Sequence, residues 1–202
     1  MLAGLTDGQW NAPSLCAGWR VREVAAHMTM GFRYSLPRWA RELATARGNI
    51  NRMADRCARK DAAAFSPAEL TAFLGENTEH PWKPPVGGYG MALAHDVVHG
   101  LDITVALGLD RRVPEDRLRV VLGGITARSA KFFGTDIKGV TFRATDLDWS
   151  FGTGPPVSGA VSGAAQDLLL ALFGRKLPAD RLRGEPRARF VIPTAETPNF
   201  RT

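Results

Sequence analysis

The chain changes its hydrophobic period once, near residue 135, and that change does most to narrow what it can fold into. Upstream, apolar residues recur every three or four positions. Downstream, Val140-Thr141-Phe142-Arg143-Ala144-Thr145 alternates apolar with polar. A period near 3.6 marks one face of a helix and a period of 2 one face of a strand. The expectation is an α+β protein, with a helical domain over 1–134 and a small α+β domain over 135–202. A chain of 202 residues is long enough for two such units, each burying its own core.

Val21, Val24, Ala25, Met28 and Phe32 share one helical face. They predict a helix from Val21 through Trp39 and Leu43 to about Gly48, kinked at Pro37. Ser66-Pro67-Ala68-Glu69 offers an N-cap, a proline in the first turn and a capping-box glutamate, so a second helix runs from there to about Glu76. The segment HPWKPPVGGYG, from His80 to Gly90, is a loop. A strongly apolar helix follows over Met91 to Leu107, ended by Gly108. A fourth starts near Pro114 and carries Leu118, Val121, Leu122, Ile125, Phe132 and Phe133. Past the alternating segment VTFRATDLDWSFG, PPVSGAVSG suits a further short strand. GAAQDLLLALFGR suits a compact helix closed by Gly174.

Twenty-six Lys and Arg against twenty Asp and Glu give a net charge of +6. The basic residues fall at 52–60, 111–119 and 181–189, each cluster interrupted by acids or a proline. Without aromatic interleaving they read as solvated helix faces and a basic tail rather than a nucleic-acid surface. No apolar run approaches the roughly 20 residues of a membrane helix. The opening MLAGLTDGQW lacks the basic and apolar regions of a secretory signal. Cys16 and Cys57 are the only cysteines and lie far apart, which argues against a disulfide framework. A cytoplasmic protein with no membrane partner is expected.

Four histidines occur, two of them in His95-Asp96-Val97-Val98-His99. On a helix, positions i and i+4 lie one turn apart on one face, so both imidazoles can reach a single ion. At about 100° per residue, Met91, Ala94, Leu101 and Val105 gather on one side. His95 and His99 sit on its flank with Asp102 between them, and Asp96 points to solvent. Asp102 is the better outer acceptor for orienting an imidazole. The same spacing also suits two histidines bonded to neighbours at a helix boundary. His27, one turn beyond Val24 at the edge of the first apolar stripe, can face inward as a third ligand. Three histidines and an open position make a usual catalytic zinc arrangement. His80 reads as a surface residue, Trp10 and Trp19 as core anchors, and Cys16 as a small buried residue.

The stretch WNAPSLCAGWRVREVAAHM, with LAHDVVHGLDI further on, resembles the metal-binding helical domain of the mycothiol-dependent maleylpyruvate isomerase family, a branch of the DinB-like four-helix bundles. The later FRATDLDWSFGTGPPVSGAVSGAAQDLLLALFGRK is similar to that family's sterol-carrier-like C-terminal domain. The resemblance implies a divalent metal, zinc above all, held by His27, His95 and His99. The family's position matching His95 is a glutamate in some members and a histidine in others. It further implies mycothiol or a similar thiol as cofactor, a small-molecule substrate, and a catalytic arginine that matches Arg175 in Phe173-Gly174-Arg175. Read from the residues, a guanidinium there can hold a carboxylate by a bidentate pair or bond the last carbonyls of its helix. Isomerisation of an unsaturated dicarbonyl acid is the activity implied. An S-transferase joining the thiol to an electrophile, or a metal-binding regulatory module without turnover, are the alternatives.

The family's domain begins with a long helix ahead of the Trp10 motif, and here nine residues precede Trp10. A bundle lacking its first helix is expected to expose an apolar groove. Either a chain start further upstream or a second copy of the chain, as a homodimer, would cover it.

Overall fold

The fold was described from a computed structural model, over residues 1–152 and 160–193. The chain divides into two units, Met1–Arg111 and Arg112–Thr202. The sequence pattern put the boundary near 135, where strands begin, and so grouped all the helices before Gly134 together. The two helices from 115 to 132 instead fall in the second unit.

The first unit is helical. A short 3-10 turn, Leu2–Gly4, leads into α1 (Asp7–Asn11), then α2 (Val21–Arg33), α3 (Leu36–Thr45), α4 (Ile50–Ala64), α5 (Pro67–Glu76) and α6 (Gly88–Ala106). Helix α2 is the hub, packed by α1, α4, α5 and α6. Its inward residues Val21, Val24, Ala25 and Ala26 are wholly buried, with Ala58 and Ala62 of α4, Leu70 of α5 and Ile103 of α6 in the same cluster. Leu2 and Leu5 pack against that cluster too, so residues ahead of Trp10 cover part of the core where an open groove was expected.

The predicted helix from Val21 to Gly48 is two helices. Its proline does not kink a continuous helix; the chain leaves α2 at Tyr34 and restarts with Ser35 as N-cap and Pro37 in the first turn of α3. A proline in mid-helix would clash with the carbonyl four residues back, whereas the first turn has no need of its N–H. Helix α4 lies where the sequence showed mainly basic residues. Asn49 caps it by accepting from Arg52 N–H at 2.9 Å, and Met53, Cys57, Ala58, Asp61 and Ala62 form its buried stripe. Two of its three arginines form ion pairs, Arg56 with Glu42 and Arg59 with Asp55.

The second unit opens with α7 (Glu115–Gly123) and α8 (Ala127–Phe132), which replace the single helix expected there. Gly123 and Gly124 disfavour continuation, and Thr126 starts α8 through a reciprocal cap with Ser129. Phe132, at the end of α8, is largely exposed, while Phe133 stacks on Phe173 with ring centroids 4.3 Å apart. The sheet contains β1 (Thr141–Ala144), β2 (Ser150–Gly152), β3 (Ala160–Gly163) and β4 (Leu182–Arg183) in the order β2-β1-β3-β4. β1 pairs antiparallel with β2 and parallel with β3, and β3 pairs antiparallel with β4. The expected strand in PPVSGAVSG is β3 over its last four residues; Pro155 to Gly159 lie outside the described residues.

Helix α9 (Ala165–Leu172) packs on β1 and β3 and is buried nearly all round, as its run of leucines requires. Phe142 of β1 and Val161 of β3 are register partners beneath it, both at 0% exposure. Gly174 ends the helix at φ +81°, a conformation an L-residue rarely adopts.

One cap fixes where α2 begins. Glu23 accepts from the Arg20 backbone N–H at 2.8 Å and pairs with its guanidinium. Burial alone would raise the Glu23 carboxyl, but the hydrogen bonds and charge of Arg20 outweigh it and hold the group below its ordinary value. A depressed carboxylate adds stability that is present above its unfolded pKa, about 4.3, and is lost as pH falls through the lower folded value. Glu23→Gln is therefore expected to lower stability near neutral pH by about 1 kcal/mol, and to flatten the fall in unfolding midpoint below about pH 4.5 relative to the parent. Urea titrations across that range check both expectations.

Candidate metal centre

Two helices of the first unit build the site. Helix α2 carries His27 one turn beyond Val24, and α6 carries His95 and His99 one turn apart. The three imidazoles each offer a ring nitrogen, and those nitrogens all lie within 4.8 Å of one another. His27 Nε2 and His95 Nε2 are 3.1 Å apart. The ring centroids are 5.0 Å apart for His27–His95, 4.9 Å for His27–His99 and 4.7 Å for His95–His99. All three side chains are half-buried. The histidines that the sequence analysis singled out thus converge, and His80 is not among them. It is exposed in the loop after α5, with its ring 5.8 Å from that of Phe32.

The second nitrogens are tied down unequally. His99 Nδ1 lies 2.9 Å from Asp102 Oδ2, and the Asp102 side chain has no exposure to solvent. A carboxylate accepting from Nδ1 fixes the tautomer that leaves the Nε2 lone pair for the cluster. Asp102 also anchors the backbone, its carbonyl accepting from Leu15 N–H at 3.0 Å. His95 Nδ1 lies 3.0 Å from Asp96 Oδ1, and that carboxylate is 63% exposed. Asp96 does face solvent, yet it reaches back to the neighbouring ring, a contact that helical spacing does not show.

Two indoles flank the imidazoles. Trp19 is a core residue, as expected, and it also lies 5.0 Å from the His27 ring and 6.4 Å from the His99 ring, centroid to centroid. Its Nε1–H donates to Asp55 Oδ1 at 2.7 Å, which locks the indole between the site and α4. Trp82, from the Pro-rich loop, stands 5.6 Å from the His95 ring at 63°. Sequence reasoning missed Trp82 because a loop has no period to read. The available signal was Gly31, a glycine inside a helix one turn beyond His27.

Arg175 belongs to the second unit. It follows Gly174, and its Nη1 donates to the Phe173 carbonyl at 2.7 Å, which is the helix-end contact that the residues suggested. Cys16 is half-buried and packs against the α2 cluster.

A helical unit in which α2 and α6 pool three imidazoles, followed by a small α+β unit, defines a class of protein fit to hold a divalent ion. Comparison with known proteins narrows the class. Residues 1–83 match the family described as the mycothiol maleylpyruvate isomerase N-terminal domain. The matched segment contains His27 and Trp82 and ends ahead of His95 and His99. Among solved structures, the chain is similar to the crystal structure of the mycothiol-dependent maleylpyruvate isomerase, at a TM-score of 0.50 and 16% identity over 95% of this chain and 87% of that one. A histidine-to-alanine mutant of the isomerase matches with the same values. At that identity the likeness is one of fold. No protein of curated function matches the chain.

The buried His99–Asp102 contact invites a direct measurement. A double-mutant cycle with His99→Ala and Asp102→Asn, read by chemical denaturation, is expected to give a coupling on the order of 1 kcal/mol. Additive losses would show that the contact does nothing for the folded state.

Proposed function

We propose that the chain is a divalent-metal-dependent enzyme that uses a low-molecular-weight thiol, mycothiol or a close equivalent, to act on a small electrophilic acid. The convergence of His27, His95 and His99 carries this reading. The donor set passes a simple test of fit. A tetrahedral zinc with Zn–N bonds of about 2.0–2.1 Å places neighbouring nitrogens about 3.3 Å apart. The 3.1 Å between His27 Nε2 and His95 Nε2 is close to that spacing. All-nitrogen donors favour zinc over the oxygen-seeking magnesium and calcium.

Bound there, the ion would act as a Lewis acid and lower the pKa of a coordinated thiol. The chain's own groups prepare the site. Asp102 holds the His99 ring in the tautomer that presents Nε2, the exposed Asp96 makes a weaker contact of the same kind to His95, and the indoles of Trp19 and Trp82 displace water beside the rings. Arg175 is assigned, from the resemblance of the Gly174-Arg175 pair, to binding a carboxylate of substrate or thiol. Its guanidinium offers the planar fork that such a contact needs. An isomerase reaction is favoured because both similar solved structures are of a mycothiol-dependent maleylpyruvate isomerase. An S-transferase would share the metal and thiol and differ in the electrophile.

Elemental analysis of protein purified without added metal is expected to find about one divalent ion per chain. His99→Ala should lose it, because two imidazoles bind far more weakly than three, while His80→Ala should keep it. Full occupancy in the His99→Ala protein would refute the ligand assignment. Arg175→Lys separates arginine from metal. It should retain the ion yet lose most thiol-dependent turnover, with maleylpyruvate and mycothiol as the first pair to assay, since lysine keeps the charge but not the fork. An unchanged rate would leave Arg175 as a helix-end residue only.

A further inference from the structure

The Pro-rich loop between α5 and α6 brings Trp82 down onto the backbone of α2 at Gly31. A Cβ added to Gly31 would lie 2.5 Å from both Cδ2 and Cε2 of the indole and 2.9 Å from Cε3. No real contact is that short, so the indole occupies the space any other residue's side chain would need. Trp82 also neighbours the His95 ring, with centroids 5.6 Å apart in an edge contact. Gly31 lies one turn beyond His27 and on the same face of α2. The indole therefore bridges α2 and α6 beside the cluster, resting on one helix and bearing on a histidine of the other.

The three rings differ in how firmly they are held. His99 has a wholly buried carboxylate at Nδ1, and Trp19 beside its ring. His95 has only Asp96, 63% exposed, and a hydrogen bond to an exposed carboxylate competes with water. Steric contact with Trp82 supplies the restraint that Asp96 cannot. A glycine inside an amphipathic helix costs up to about 1 kcal/mol relative to alanine, and its place here is explained by the close approach of the indole.

We propose that Gly31 and Trp82 form a seat and wall for the site, Trp82 being a positioning residue for His95 that also bounds one side of the space next to the ion. The inference rests on the three-histidine reading and goes beyond it, since neither residue is a ligand.

Cobalt(II) titration of metal-free protein, followed by its visible d–d absorption, tests the idea. Gly31→Ala and Trp82→Ala should each weaken cobalt binding by about tenfold, as loss of outer support typically does, and each should alter the band shape. Trp82→Phe should restore much of both. Adding Gly31→Ala to Trp82→Ala should cause no further loss, because the new Cβ then meets no indole. Thermal unfolding of the same proteins supplies the control, with Gly31→Ala expected to be no less helical than the parent by circular dichroism. Wild-type affinity and spectrum in Gly31→Ala, or a second full loss in the double variant, would overturn the proposal. A parent protein that binds no cobalt would overturn the three-histidine reading and this inference with it.

Discussion

The helical unit depends on how closely other helices approach α2. Its inward face is built from small and β-branched side chains, Val21, Val24, Ala25 and Ala26, all at 0% exposure. Small residues let neighbouring axes come near, and Ala58 and Ala62 of α4 answer them with the same economy of volume. Four helices can then contact one. The histidine cluster inherits this packing, because His27 is carried on α2 and its two partners on α6. The histidine rings meet only while α2 and α6 keep their spacing. Enlarging Ala25 or Ala26 would press on α2 from within and spread its neighbours, at about 1–3 kcal/mol for a typical overpacked core position.

Polar groups around the hub are matched in a way that supports the same geometry. Asp61 of α4 is nearly buried and accepts from Arg33 at 2.9 Å, Tyr34 Oη at 3.1 Å and Arg38 at 3.2 Å. These three donors span the break between α2 and α3, so one carboxylate fixes both the end of α2 and the start of the next helix. Arg33 also lies over the rings of Phe65 and Phe73. A buried charge left unpaired is expensive, and several well-aligned donors offset the desolvation. Glu42 of α3 plays a similar part, pairing with Arg56 and Arg41. Part of the chain's basic excess thus serves the fold, and the clusters at 52–60 and 181–189, read in the sequence as solvated faces and a basic tail, give Arg56 and Arg181 to the buried carboxylates Glu42 and Asp167.

Legibility in the sequence followed the reach of each signal. The stripes of α2 and α6, the Ser66 cap and the alternation in β1 are local patterns, and the structure contains an element at each. The break at Tyr34 was not legible, because Pro37 is compatible with a kink or with a first turn, and Asp61, the acceptor whose bonds to Arg33, Tyr34 and Arg38 favour the latter, is over twenty residues away. Helix α4 was obscured by its own arginines, whose partners lie on α3, on α4 itself and in the loop before α2. The unit boundary was placed by the change of period, yet α7 and α9 pack together, a preference that periodicity cannot express. For the site, the i, i+4 pair located His95 and His99, and one turn of amphipathic offset located His27.

Trp82 was invisible for a related reason, and it shows what the loop contributes. Trp82 lies between Pro81 and Pro84, and prolines restrict the backbone on either side. A stiffened loop can hold a large ring at a fixed depth with little entropy left to lose. Trp19 is held differently, by core packing and by its hydrogen bond to Asp55. One aromatic wall is therefore part of the core and the other belongs to a surface segment whose exposed Val86 and Tyr89 face solvent. Chain variation that leaves the core untouched can alter only the second. The imidazoles are constrained by the helices that carry them and Trp19 by the core, and the loop is where a protein of this build can change the shape of the space beside the histidine cluster without disturbing the imidazoles.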